Sequence, residues 1–155
     1  MLKKLDVVIA SVHSGFKNPE QQIADDETVD IAQKIADALK TSGHETELVR
    51  VTPLKIKKVR ELETDVVFNL CEWSGKDYHL GVKVLETLEQ HKIPHTGADS
   101  KSYDWCSNKI LMKKMFDERV ILTPKWKEIY TQDTASDILK KVKNLEFPII
   151  AKPAY

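Results

Sequence analysis

The segment LDVVIASV (Leu5 to Val12) is apolar at both alternating sets of positions, the pattern of a strand covered on both faces. The polar stretch HSGFKNPEQQ that follows reads as a loop, and DDETVDIAQKIADALK then predicts a helix. Asp25, Asp26 and Glu27 supply its capping and first-turn carboxylates, and Ile31, Ile35 and Leu39 recur every four residues. Gly43, in TSGHE, ends it, because a left-handed cap costs glycine little. TELVRV alternates polar and apolar, a second strand, and Val66 to Leu70 forms a third that is apolar nearly throughout. LGVKVLETLEQHK is helical with Val84, Leu85 and Leu88 on its apolar side, and IPHTG reads as a short strand and turn.

Strands alternating with helices in this way imply an α/β fold, a Rossmann-like parallel sheet with helices on both faces, over residues 1–99. Right-handed crossovers would bring the carboxyl ends of strands one, three and four to a single crevice. His13–Ser14, Cys71–Glu72 and His95–Gly97 stand at those ends. From Ser100 the pattern changes. SKSYDWCSNKILMKKMFDERV, with neither glycine nor proline, predicts one longer helix, and ILTPKWKEIY an extended segment around Pro124. DTASDILKKVKNL predicts a helix opened by Asp133 or Thr134, with Ile138, Leu139 and Val142 apolar, and FPIIAKPA another strand. Residues 100–155 thus read as a connecting helix and the beginning of a second domain, with too few elements to bury a core alone.

Charge narrows the choice of partner. The 24 basic and 24 acidic residues cancel, so nothing suggests a nucleic-acid groove or an anionic membrane surface. The basic start and short apolar run of the N-terminus are interrupted by Asp6 and lack a small-residue cleavage pattern, so a strand is expected there and not a signal peptide. Cys71 and Cys106 fit no metal or redox spacing, which makes a reducing cytoplasm the default expectation. Of the five histidines, none pairs at the spacing of a helical zinc site; His91 and His95 are separated by Pro94. Cys71 reads as a buried thiol at a strand end, with no adjoining cation to activate it.

Two lysines stand in apolar surroundings. On a continuous helix Lys109 shares a face with Trp105, Met112, Lys113 and Phe116. In an extended FPIIAK, Lys152 points the same way as Pro148 and Ile150. Each has an ordinary reading, a snorkelling lysine at the border of a buried face or an edge lysine at a strand end. Each also has a functional one, a point charge that neutralises phosphate oxygens.

Five segments, DVVFNLCE, LETLEQHKIPHTG, NKILMKKMF, TPKW and FPIIAKP, occur in an order that resembles the D-alanine–D-alanine ligase branch of the ATP-grasp superfamily. The resemblance runs from about Asp65 to Ala154, and IPHTG and FPIIAKP carry most of it, since the family reads IPYTG and FPxxVKP there. These enzymes use ATP to activate a carboxylate as an acyl phosphate, which an amine then attacks to form an amide. The resemblance implies a pre-ATP-grasp domain over 1–99 and the truncated start of an ATP-grasp domain over 100–155. It assigns Lys109 and Lys152 to ATP phosphates and makes Glu27 and Glu72 the candidates for substrate binding, with Asp25 and Asp26 as alternatives to Glu27. It implies a small amino acid or peptide as substrate, ATP and Mg2+ as cofactors of the complete protein, and a homodimer through the N-terminal domain.

The departures bear on substrate and activity. Asn108 replaces the acid of the family's Asp-Lys pair, and Trp73 stands where the family has glycine after NLCE. The phosphate loop, the metal-binding carboxylates and the transition-state arginine of the family have no counterpart here, and the five glycines are not clustered. The expectation is therefore an N-terminal fragment of an ATP-dependent carboxylate–amine ligase, inactive alone, with no catalytic residue and no metal ligand of its own. The alternative is a non-catalytic small-molecule-binding or dimerisation module derived from the same fold.

Overall fold

In the computed structural model, which describes residues 3–13, 19–73 and 77–154, the chain divides into two compact units, Met1–Asp104 and Trp105–Tyr155. The first is built on a parallel sheet of three strands, β1 (Asp6–Val12), β2 (Glu45–Val51) and β3 (Val66–Leu70), in the order β2-β1-β3. Ile9 of β1 stands opposite Leu48 on one side and Phe68 on the other. IPHTG adds a single parallel bridge, Val67 with His95, in place of the expected short strand. Pro94 lacks the N–H that a longer ladder would use.

The central strand shows why LDVVIASV is apolar throughout. Val8, Ala10 and Val12 face one apolar cluster, with Ile56, Val59, Val84 and Leu88, while Val7 and Ile9 face another, with Ala32 and Ala36. The second cluster is closed by helix α1 (Pro19–Thr41). The first is closed by α2 (Tyr78–Gln90) and by a 3-10 helix, Pro53–Glu61, which the sequence pattern did not reveal. That helix has proline in its first turn and buries Ile56 and Val59, three residues apart, on one face.

Two expectations for α1 change. It starts at Pro19, within the stretch read as a loop, because proline's fixed φ suits the first helical position. Its buried stripe runs through Asp25, Ala32 and Ala36, while Ile31 is 49% exposed. The alanines let the helix approach the sheet closely, leaving Ile35 and Leu39 as partly buried flanks. The helix ends at Gly43 as expected, with φ at +91° and the Gly43 N–H on the Lys40 carbonyl at 2.9 Å.

The helix expected from Ser100 onward is two helices, α3 (Ser100–Ser107) and α4 (Lys109–Glu118). Asn108 leaves the helical backbone, and its side chain accepts the Leu111 N–H at 3.0 Å, capping α4. Glu89 of α2 holds the start of α3 through the Ser100 N–H at 2.6 Å and the Ser100 hydroxyl at 2.7 Å. In the second unit α5 (Ala135–Val142) opens at Thr134, one of the two residues expected to open it, through a capping box with Asp137. The strand expected at FPIIAKPA does not form: 147–154 carries no ladder among the described residues. Phe147, Ile150, Leu122 and Leu139 are 79%, 81%, 98% and 68% exposed. Without a sheet beneath them, these segments bury no apolar face.

Candidate functional site

The carboxyl edge of the parallel sheet is the first place where chemistry collects. His13 follows β1, its N–H donating to the Val51 carbonyl at 2.9 Å. Its Nδ1 lies 3.1 Å from Oδ2 of Asp25, a carboxylate only 3% exposed, whereas the imidazole is 42% exposed. A buried carboxylate in hydrogen-bond contact fixes the tautomer and orientation of an imidazole, with Nδ1–H donating. Ser14, expected beside it, lies outside the described residues.

At the end of β3 the turn is set by side-chain caps. Asn69 Oδ1 accepts the Cys71 N–H at 3.1 Å, and Thr96 Oγ1 accepts the Asn69 N–H at 3.1 Å, so IPHTG shapes the edge although it forms no strand. Cys71 is fully buried, with Sγ 3.5 Å from the Ala10 carbonyl, and burial pushes its thiol up to about 12. It stays protonated and serves as core. Glu72, next in the chain, is exposed. Trp73 returns to the interior, 7% exposed within the cluster that contains Val12 and Cys71. Glu27 is exposed on α1, and of the three acidic candidates at 25–27 it is Asp25 that reaches the buried edge.

The second collection lies in the unit Trp105–Tyr155. Lys109 is the first residue of α4, not part of one continuous helix with Trp105, and it is exposed. Its backbone N–H donates to the Ala154 carbonyl at 2.8 Å. That bond lays the segment bearing Lys152, also exposed, beside the start of α4. The two lysines singled out in the sequence are thus carried by neighbouring stretches of backbone. A separate cavity of about 390 Å³ is lined by Asp117, Trp126, Lys127, Glu128, Tyr130 and Lys141. Its polar groups answer one another: Trp126 Nε1 donates to Asp117 at 3.0 Å, and Lys114 pairs with Glu128 at 2.6 Å. Lys141 pairs with Asp133 at 2.5 Å. The hydrogen bond from Lys114, together with that from Tyr130, holds the Glu128 carboxylate below its usual range.

Among the described residues no group of three His, Cys, Asp or Glu side chains is placed to hold a metal ion. No helix among them is long and apolar enough to cross a membrane.

A parallel α/β unit with polar groups gathered at its carboxyl edge defines the class: an open-sheet α/β domain, a class whose ligands commonly sit at that edge. Comparison with known proteins narrows it. The chain is 27% identical over 128 residues to a D-alanine–D-alanine ligase of Pelagibacter ubique, a match covering 81% of this chain and 41% of the relative. With the D-alanine–D-alanine ligase of Maridesulfovibrio salexigens it is 32% identical over 123 residues, covering 79% and 38%. A crystal structure of D-alanine–D-alanine ligase from Bacillus anthracis superposes with a TM-score of 0.61 at 21% identity, covering 88% of this chain and 42% of that one. The same ligase complexed with ATP gives 0.61 at 23%, covering 89% and 44%. No family model matches the chain. Over about four-fifths of its length, then, this chain is similar to D-alanine–D-alanine ligases, and it corresponds to their N-terminal portion. It spans about two-fifths of the length of the curated relatives it matches.

Proposed function

We propose that the chain is the N-terminal portion of an ATP-dependent carboxylate–amine ligase. The observation that carries the reading is the Lys109 N–H to Ala154 carbonyl bond, which sets two exposed lysine-bearing segments side by side in a chain similar to the start of D-alanine–D-alanine ligases. In the overall reaction a carboxylate oxygen takes the γ-phosphoryl group of ATP and releases ADP. An amine then displaces inorganic phosphate and leaves an amide. Lys109 and Lys152 would contact phosphate oxygens, where a positive charge offsets the negative charge that shifts from γ-phosphoryl to ADP. Both are exposed, as a nucleotide contact requires. Mg2+ would share that neutralisation in the complete enzyme, its ligands supplied by the part of the ligase beyond this match.

Asn108 fits this reading. As an N-cap, asparagine does what the family's acid would do, since the two are nearly equivalent there. The sheet edge of the first unit, with Glu72 exposed on it and Glu27 on α1, would take the small carboxylate substrate, an amino acid or peptide. The exposed apolar residues of the second unit support the view that this unit is the opening of an ATP-grasp domain. By itself the 155-residue chain should not turn over. The test is a chimera that joins residues 1–154 to the remaining C-terminal part of the M. salexigens ligase. It should release phosphate from ATP only when an amino acid is present, and a folded chimera without that activity would defeat the reading.

A further inference from the structure

We infer that the open edge of β2, with the groove beside it, is a docking surface for an extended acidic peptide segment that carries an apolar residue. The surface lies wholly within the first unit, and the inference stands independently of the ligase reading.

β2 is an outer strand, with β1 on one side and no strand on the other among the described residues. The Glu45 N–H donates to the Leu5 carbonyl at 3.0 Å, and the Val51 carbonyl accepts the His13 N–H at 2.9 Å. Backbone groups alternate in direction along a strand. Those of 45, 47, 49 and 51 therefore turn to β1, and those of Thr46, Leu48 and Arg50 turn to the open side. Such a row is a template for one more strand. Beside it lies a cavity of about 220 Å³, lined by Val49, Val51, Val59 and Leu62 together with Lys55 and Lys58. An apolar cavity of about 150 Å³ holds a benzene ring, so this one has room for a valine or leucine side chain. Every second side chain of an added strand would point to the groove side.

The surroundings are basic in a chain whose charges cancel as a whole. Arg50, Lys55, Lys57, Lys58 and Arg60 fall between Val49 and Arg60, a stretch without an acid. Arg60 pairs with Glu61 at 3.6 Å, and the other four make no ion pair among the described residues. Lys55 and Lys58, three residues apart on the 3-10 helix, stand in one row about 6 Å apart along its axis. Two ammonium groups so placed repel each other and favour an anion between them. Leu54 of the same helix, 97% exposed, adds an apolar contact outside the groove. Glu47 precedes Val49 on β2, so the partner's acids belong at the Arg50 end of the strand, over the lysines. A polynucleotide would meet the cations but offers β2 no alternating N–H and C=O row and the groove no apolar side chain. A peptide supplies all three.

The test uses the whole 155-residue chain, labelled with nitrogen-15, and a capped peptide of sequence Glu-Asp-Glu-Val-Glu-Asp-Glu. The peptide should shift the backbone N–H signals of Leu48 and Arg50 saturably. Replacing its valine by serine should weaken binding by about fivefold or more. Lys55→Glu with Lys58→Glu should weaken it by about tenfold or more; both lysines are exposed, so the variant should keep the native spectrum elsewhere. Two further peptides, N-methylated at odd or at even positions, separate strand addition from simple charge attraction: one should lose binding and the other keep it. The proposal is overturned if millimolar peptide leaves Leu48 and Arg50 unmoved, or if both N-methylated peptides bind as well as the parent. It is equally overturned if single-stranded oligouridylate shifts the same signals more strongly than the peptide, which would make the surface a polyanion site.

Discussion

Gly81 lies in the first turn of α2 with the ring of Tyr103 against it. A Cβ built there would meet Tyr103 Oη at 2.6 Å, Cζ at 2.8 Å and Cε1 at 2.9 Å. Ordinary contacts of this kind lie at about 3.5–4.0 Å, so Gly81→Ala overlaps three atoms of one ring by roughly 0.6 Å or more. Taken alone, alanine in a helix interior is favoured over glycine by about 1 kcal/mol. Against that, Tyr103 must swing away and lose its seat on α2, and overpacking of this kind costs about 1–3 kcal/mol. The single substitution should therefore be neutral to destabilising, by about 0–2 kcal/mol. In a Tyr103→Ala background the overlap is gone, and the same change should stabilise by about 1 kcal/mol. Urea denaturation of the four proteins in the cycle measures the coupling, expected at about 1–3 kcal/mol. If Gly81→Ala has the same effect in both backgrounds, within about 0.5 kcal/mol, then Tyr103 does not pack on Gly81 and the placement of α3 against α2 is wrong.

Asn108→Asp should leave thermal stability nearly unchanged, because both residues cap a helix equally, whereas Asn108→Ala should cost about 1 kcal/mol; a large loss in the aspartate variant would count against the cap. Val120, just past α4, has φ at +56°, a left-handed conformation that costs a β-branched residue dearly. Since Val120 is 86% exposed, Val120→Gly should stabilise by about 1 kcal/mol in a denaturation curve, and a destabilised variant would show that its side chain has a packing role. Acid should weaken the first unit. The Asp6 N–H, then Lys3, holds the Asp65 carboxylate below its usual range, and the Lys4 ammonium does the same for Glu45. A lowered folded-state value gives stability that is present above the ordinary carboxylate range near about 4 and lost as pH falls through the folded value. The melting temperature should accordingly drop below about pH 4, less steeply in Asp65→Asn, and an identical pH profile for that variant would refute the assignment.

The sheet was legible because its strands are short apolar runs with clear punctuation. Val66 to Leu70 matches β3 residue for residue, and Val84, Leu85 and Leu88 are the buried face of α2. Where the reading failed, a local signal was outvoted by packing. Ile31 looked like core on spacing, but a helix that lies close on a sheet does so through small residues, here Ala32 and Ala36. The 3-10 helix was hidden by its lysines, although Pro53 and the three-residue spacing of Ile56 and Val59 were available signals. The break at Asn108 carries the ordinary signature of a cap, but without glycine or proline the helical pattern runs through it unbroken. At the candidate site His13 was legible as a strand-end residue, but its partner Asp25 stands twelve positions away, and no local spacing links them. Lys109 and Lys152 stand out by their apolar surroundings and take their ATP role from the resemblance, but the bond between Lys109 and Ala154 depends on chain folding that no periodicity encodes.

The central claim is that this chain forms the opening part of an ATP-using carboxylate–amine ligase. Phosphate release from ATP tests it most directly, measured with and without D-alanine for three proteins: the 155-residue chain, the chimera completed with the C-terminal part of the M. salexigens ligase, and that chimera carrying Lys152→Ala. The account predicts no release from the chain alone and amino-acid-dependent release from the chimera. It also predicts at least about a tenfold loss of activity at limiting ATP in the Lys152→Ala variant. Amino-acid-dependent release by the chain alone, or a folded chimera indifferent to Lys152→Ala, would contradict it.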